Sequence, residues 1–236
     1  MNRSKHYVIV ADYDRTVTND SLMPYGPLLD VLKSLRQYDN MKFLIASGRK
    51  LDFLLRGLGL NNIANAIVAE NGAVIYLPET DSTYTLGEQD ERIREKLKNS
   101  SIPFDAGQVV ISIKKEFEKE AMDLVNEIGA NIKIEYNRDS VMILPNEIDK
   151  ALGVKEALRH LKLGPTELIC IGDAENDSSL FDIGTVSVAT FDAVPELRER
   201  ADMICSERGA IGVTRFLNEL LNTIIKNNEN GIAGGV

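Results

Sequence analysis

Apolar residues along this chain gather into short unbroken runs in some stretches and into helical spacing in others. Tyr7-Val8-Ile9-Val10-Ala11 is the first run, and residues 42–46, 66–69, 168–171 and 186–189 are of the same kind. Apolar runs of this length, bounded by polar or turn residues, predict buried strands. Leu28, Leu29, Val31, Leu32 and Leu35 share one helical face and predict a helix over 25–38. Residues 49–58 predict a second helix, with Gly57 and Gly59 as stop signals. Later, Leu152, Ala157, Leu158 and Leu161 mark a helix that Gly164-Pro165 ends. Further helices are predicted over 178–183, 195–200 and 212–226, an arm of a hairpin over 73–76 and a last short strand over 202–205. Strands alternating with helices predict an α/β protein whose parallel sheet is covered on both faces.

The middle of the chain breaks this rhythm. After the polar stretch Pro78-Glu79-Thr80-Asp81-Ser82 come a charged helix over 88–99, a strand over 108–114 and a helix over 116–128. Two short alternating runs follow, 131–136 and 140–144, and Asn137-Arg138-Asp139 between them reads as a hairpin turn. The expected organisation is a discontinuous core, 1–78 and 146–236, interrupted by a smaller α+β unit over 79–145. Residues 227–236 are rich in Asn and Gly and predict a frayed tail.

Composition narrows the function classes. The 236 residues are 44% hydrophobic and 27% charged, as in ordinary globular proteins. No apolar stretch approaches the roughly 20 residues that span a bilayer. The start lacks the pattern of a signal peptide, so a cytoplasmic location is expected. Cys170 and Cys205 each lie in an apolar run, where a buried reduced thiol is expected. A net charge of -9 argues against an extended nucleic-acid interface. A small anionic substrate stays open, because a metal ion and a few placed cations reverse the local field. His6 and His160 sit outside every motif and are expected to be structural or exposed.

The chemistry concentrates at strand ends. Asp12 and Asp14 leave the first strand two residues apart, on one face. Two carboxylates that close repel unless a cation sits between them or they divide acid and base work. A second pair, Asp173 and Asp177, follows the apolar run 168–171. Two strand ends that each deliver carboxylates point to a hard-cation site for phosphate chemistry. Ser47 follows the run 42–46 and opens a helix, where its hydroxyl caps the helix or holds an anion.

Four elements in order carry a resemblance: Asp12-Tyr13-Asp14-Arg15-Thr16, Ser47-Gly48-Arg49, Lys150, and Gly172-Asp173-Ala174-Glu175-Asn176-Asp177. On these, the chain resembles the haloacid dehalogenase superfamily of phosphohydrolases, in its Cof-like branch, over nearly its whole length. The resemblance implies a Rossmann-like parallel-sheet core with an inserted smaller α+β cap, and similarity to archaeal-type phosphoglycolate phosphatases. It implies Asp12 as nucleophile and Asp14 as general acid and base. Ser47, with Gly48, would hold phosphoryl oxygens, and Lys150 would neutralise charge on the phosphoryl group and Asp12, with Lys155 its nearest competitor. Mg²⁺ would be held by Asp12, the Asp14 carbonyl and Asp173, with Asp177 ligating through water or orienting the shell. Asn176 would fix that loop, and Glu175 would be solvated. Arg49 reaches the substrate or the surface. Glu70-Asn71-Gly72-Ala73 resembles a Cof-branch signature in which Asn71 binds substrate, contacts nearby loops or makes an Asn-Gly turn. Thr16 is expected to organise its loop by hydrogen bonding.

Two departures bear on specificity: Arg15 stands where the family most often has Gly, and Tyr13 is bulkier than usual. Lys114, Lys115, Lys133 and Arg138 of the inserted unit are candidates for a substrate carboxylate. The expected function is hydrolysis of a small phosphorylated metabolite, phosphoglycolate or a sugar phosphate, through an aspartyl-phosphate, by a monomer or homodimer. A phosphomutase, a phosphatase of mannosyl-3-phosphoglycerate or another sugar phosphate, and a catalytically silent binding protein are the alternatives.

Overall fold

The computed structural model describes residues 6–19, 23–56, 59–163 and 166–233. The stop signals at Gly57 and Gly164-Pro165 lie outside them. Five strands open the chain: β1 (His6–Asp12), β2 (Met41–Ala46), β3 (Ala66–Ala69), β4 (Val74–Leu77) and β5 (Ser82–Thr85). Then come β6 (Phe104–Ala106), β7 (Ile111–Lys114), β8 (Ile132–Asn137) and β9 (Ser140–Pro145). The last three are β10 (Thr166–Gly172), β11 (Val186–Ala189) and β12 (Met203–Ile204). The helices are α1 (Gly26–Leu35), α2 (Leu51–Arg56), α3 (Glu91–Lys98), α4 (Glu118–Ile128), α5 (Lys150–His160), α6 (Ser178–Ile183), α7 (Pro195–Arg200) and α8 (Gly209–Ala233).

Among the described residues the strands form two sheets. The larger runs β12-β11-β10-β1-β2-β3-β4-β5, and the smaller β6-β7-β9-β8. Strands β12 to β3 of the larger sheet are parallel, and β4 and β5 add antiparallel at one edge. Alternation along β1 divides its two faces. Ile9 and Ala11 pack with Leu28, Leu32, Val213 and Leu217 of α1 and α8. Val8 and Val10 pack with Val154, Ala157, Leu180 and Leu197 of α5, α6 and α7. The smaller sheet buries Ile111, Ile113, Val141 and Ile143 against Ile93, Leu97, Ala121 and Val125 of α3 and α4.

Three expectations change. Ser82–Thr85 pair with Val74–Leu77 in the larger sheet, so these residues, placed by the sequence in the smaller unit, extend the core sheet instead. This strand escaped notice because Ser82, Thr83, Tyr84 and Thr85 offer no aliphatic alternation on an exposed edge. Phe104–Ala106 form a three-residue strand too short to show a period. Residues 227–233, expected to fray, continue the last helix to Ala233.

The register sets up a site. Asp12 pairs with Ala46 at the carboxyl end of β1, and Ala11 pairs with Ile171 of β10. The ends of β1, β2 and β10 therefore open onto one crevice, where ligands bind in open parallel sheets. The start of α5 is pressed into the same crevice. A side chain at Gly72, whose φ is +107°, would place its β-carbon 1.9 Å from the Asp149 carbonyl oxygen. Only glycine permits that approach, and it brings Lys150 under the strand ends.

Candidate active site

Lys150 is the first residue of α5, after Asp149, whose carboxylate accepts the Leu152 N–H at 2.8 Å. A lysine there opposes the helix dipole. Its compensation is local: Nζ donates to Asp12 Oδ1 and to Asp177 Oδ1, both at 2.6 Å. All three side chains are buried. The other oxygen of Asp177 accepts the N–H groups of Asp173 and Ala174 at 2.9 and 3.0 Å, fixing the loop after β10. Burial alone would lower the Lys150 pKa, but the two carboxylates outweigh it and hold the ammonium above its ordinary value. Burial pushes Asp12 up against the pull of Lys150, with Asp177, Asp173 and Asp14 adding repulsion. Burial and the charge of Asp177 raise Asp173 to about 6, although Arg138 opposes them.

Asp12, Asp173 and Asp177 offer oxygens that lie within 4.8 Å of one another. Buried, charged oxygen donors at that spacing suit a hard divalent cation, so this group can hold one. Asp14 stands apart, its expected part in metal binding resting on its carbonyl. Its carboxylate receives the fork of Arg49, at 3.0 Å to Nε and 2.9 Å to Nη2. The Arg49 guanidinium also lies over the Phe53 ring, 4.8 Å from its centroid. Ser47 is fully buried after β2; its hydroxyl accepts the Arg49 N–H at 3.1 Å and its carbonyl accepts the Asn71 N–H at 2.9 Å. Gly48 faces the Met142 thioether of β9.

The smaller sheet reaches this site. Arg138, at the tip of the β8–β9 hairpin, donates from Nε and Nη2 to Asp173 Oδ2 at 3.0 and 2.6 Å, and from Nη2 to the Asp192 carbonyl at 3.1 Å. Its backbone N–H donates to Glu175 Oε2 at 3.0 Å. Asn71 Nδ2 donates to Glu135 of β8, and Asn71 Oδ1 accepts from Asn176 at 2.9 Å. The buried Glu70 accepts the N–H groups of Gln108, Val109 and Val110 at 2.9, 2.9 and 3.1 Å. Lys50 pairs with Asp105 at 2.6 Å. Between the sheets lies a cavity of about 290 Å³, lined by Asp14, Arg15, Arg49, Phe53, Arg138 and Met142 among others.

Four of the six described non-glycine residues with positive φ belong to this cleft: Arg15, Glu70, Asn71 and Arg138. Such conformations cost on the order of 1 kcal/mol each and gather where function fixes the backbone.

Several expectations shift here. Arg138, expected to face a substrate carboxylate, binds Asp173. Glu175, expected in solvent, accepts the Arg138 N–H. Thr16 makes no side-chain hydrogen bond among the described residues; Thr18 Oγ1 instead accepts the Arg15 N–H at 2.9 Å and orders that loop. Lys114 pairs outward with Glu116, Lys115 lies over the Tyr136 ring, and Lys133 pairs with Glu135. The sequence reading gives Glu70 no role of its own and does not single out Glu135. Glu70 left a signal, a carboxylate directly after a buried strand; Glu135 in an alternating run left none. Both cysteines are buried and free, and His160 stacks on Tyr84 away from the cleft.

A sequence model of the haloacid dehalogenase-like hydrolases matches residues 81–217, more than half of the chain. The chain belongs to this family. The matched span holds Lys150, Asp173 and Asp177 but begins after Asp12 and Ser47, which the geometry joins to them. The haloacid dehalogenase-like chain is 29% identical over 227 residues to phosphoglycolate phosphatase 2 of Saccharolobus solfataricus, covering 93% of this chain and 94% of that one. It is 29% identical over 225 residues to the phosphoglycolate phosphatase of Sulfurisphaera tokodaii, covering 91% and 94%. Among solved structures, a haloacid dehalogenase-like hydrolase from Bacteroides thetaiotaomicron superposes with a TM-score of 0.76 at 19% identity, covering 92% of this chain and all of that one. The phosphatase expected from the sequence is what the family and these relatives support. Among the described residues no helix is long and apolar enough to cross a membrane.

Proposed function

We propose that this hydrolase is a Mg²⁺-dependent phosphatase of a small phosphorylated metabolite, phosphoglycolate the first candidate, and that Asp12 is its nucleophile. The observation that carries the reading is the Lys150 ammonium held between Asp12 and Asp177 in a buried group of three carboxylates. A lone carboxylate attacks a phosphate dianion poorly, because the charges repel. Lys150 offsets that repulsion at Asp12 and stabilises charge on the transferring group. Mg²⁺ would be held by Asp12, Asp173 and the Asp14 carbonyl, with Asp177 ligating through water or orienting the shell, and would supply the remaining positive charge.

In the first half-reaction, an Asp12 carboxylate oxygen bonds to phosphorus, the ester P–O bond breaks, and Asp14 gives its proton to the leaving oxygen. In the second, Asp14 takes a proton from water, the water oxygen bonds to phosphorus, and the Asp12–phosphorus link opens to release phosphate. Asp14 must reach the leaving oxygen in the first half, and its carboxylate is held by the Arg49 fork. Arg49 therefore turns from Asp14 to the phosphoryl oxygens as substrate enters, while the Ser47 hydroxyl, directly after β2, holds those oxygens. Asn71 and Asn176 set the loops around them. The smaller sheet acts as a cap: its hairpin docks over Asp173, excludes water and shapes the cavity. A 290 Å³ cavity with guanidinium groups in its wall suits a compact anion, and phosphoglycolate, for which the archaeal relatives are named, is one.

The test is phosphate release from a panel of phosphorylated metabolites with Mg²⁺, comparing wild type with Asp12→Asn. Loss of at least about 10³-fold in kcat is expected for removal of a nucleophile. Turnover by the variant near the wild-type rate overturns the assignment. An isomeric phosphate with no net release identifies a mutase instead.

A further inference from the structure

Arg15 has a backbone φ of +58°. A side chain at such a position is strained where glycine would not be. Its N–H donates to Thr18 Oγ1, a contact that any residue would make there, so the backbone gives no reason for arginine. The cavity wall gives one. Four cations line it: Arg15, Arg49, Lys50 and Arg138. Three are committed, Arg49 to Asp14 at 2.9 Å, Lys50 to Asp105 at 2.6 Å and Arg138 to Asp173 at 2.6 Å. Among the described residues the Arg15 guanidinium has no carboxylate partner. The acids around it are largely engaged as well: Asp14 and Asp105 by those ion pairs, and Glu70 by three backbone N–H groups. Asp139 lines the same cavity as an exposed carboxylate.

We propose that Arg15 is a specificity-determining residue whose guanidinium receives a second anionic group of the substrate, a carboxylate. The inference rests on the reading of the site as one for a small phosphorylated metabolite and names the substrate class: a phosphate monoester that carries a carboxylate a few bonds away. Arg15 follows Asp14 directly and Asp12 by three residues, so its backbone lies within about 10 Å of that of Asp12, and its side chain lines the cavity that Asp14 also lines. The planar fork of arginine matches a carboxylate with two parallel hydrogen bonds. Exchange of Arg49 from Asp14 to the phosphoryl group would leave Arg15 as the cation available for the substrate's other end.

The experiment compares two monoesters of equal carbon count, phosphoglycolate and ethyl phosphate, as substrates for wild type, Arg15→Gly and Arg15→Lys. The readout is the ratio of kcat/KM for phosphoglycolate to that for ethyl phosphate. Arg15→Gly lowers this ratio about 10- to 100-fold, the worth of charge-assisted hydrogen bonds to a carboxylate. Arg15→Lys lowers it less, since the charge stays and the fork is lost. The glycine variant relieves the left-handed backbone, and the lysine variant keeps the side-chain stem, so at least one is expected to fold. A ratio unchanged in both variants overturns the inference and leaves the phosphatase reading intact. Hydrolysis of neither compound, nor of any other small monoester, by wild type overturns the small-metabolite reading and this inference with it.

Discussion

Lys150 and Arg138 bring positive charge to different members of one buried group of carboxylates, from two different parts of the molecule. Lys150 sits at the root of a helix packed under the strand ends, and its side chain is fully buried between Asp12 and Asp177. Arg138 sits at the tip of a hairpin in the smaller sheet, keeps 26% of its side chain exposed, and crosses the cleft to Asp173. The first cation cannot leave without unpacking α5 from Gly72. The second would leave if the hairpin lifted. One acid group is thus served by a fully buried charge from the core and by a partly exposed one from the smaller sheet.

The comparison breaks most visibly at Lys150. Lys150→Met leaves Asp12 and Asp177 facing each other without their shared donor. Removing one partner of a buried ion pair costs about 3–5 kcal/mol, and loss of an electrostatic stabiliser costs about 10²–10³-fold in kcat. Chemical denaturation and phosphate release measure the two. Added Mg²⁺ recovers stability in the variant, because a cation replaces the missing charge, while kcat stays low. A variant that keeps both stability and turnover contradicts the role of Lys150.

The two cations also differ in how well the sequence announces them. Asp12 and Asp173 are legible because each stands at the end of a strand, where local apolar patterning marks the position, whereas Lys150 is singled out over Lys155 only by the family resemblance. Asp177 is legible by its spacing from Asp173. The alternation of strand and helix likewise exposes the parallel core. Arg138 is visible as a turn residue and as a cation for a substrate carboxylate, but not as a partner of Asp173, because that contact depends on how one sheet lies against the other, which no local period encodes. The same holds for Glu70, which reaches across to the N–H groups of residues 108–110, and for Glu135, which meets Asn71. The left-handed backbone at Arg15 is the physical reason glycine suits that place, yet only the structure gives the angle.

Arg138 sharpens the contrast from the other side. Arg138 and a divalent cation both seek the Asp173 carboxylate, so each weakens the other's hold, and the coupling is reciprocal. Arg138→Ala is expected to tighten Mg²⁺ binding about 5-fold, the lower end of coupling energies of about 1–3 kcal/mol, measured by calorimetric titration. Unchanged or weaker binding would mean that Arg138 cooperates with the metal. The equivalent titration of Lys150→Met does not mimic this result if Lys150 is built in, because its loss also disturbs the geometry of Asp12 and Asp177.

The smallest effect lies in pH. Asp173 is raised to about 6 by burial and by the charge of Asp177, against an ordinary value near 4 for an aspartate. The folded protein therefore binds a proton more tightly than the unfolded chain, and the stability this gives is complete below the ordinary value. It is lost as pH rises from about 4 through about 6. The metal-free protein thus gives up stability across that window, as Asp173 ionises beside Asp177. A divalent cation binds the ionised carboxylates, so its stabilisation grows over the same window. The rise in Tm on adding Mg²⁺ is expected to be larger at pH 7.5 than at pH 5, by a few degrees at about 2–4 °C per kcal/mol. In Arg138→Ala the metal-free protein loses more stability over that range, because the opposing charge beside Asp173 is gone and its pKa rises further. A Tm increment that is the same at both pH values would mean that Asp173 is ionised throughout, held so by Arg138, and the hairpin cation would then belong with Lys150 as a fixed part of the site.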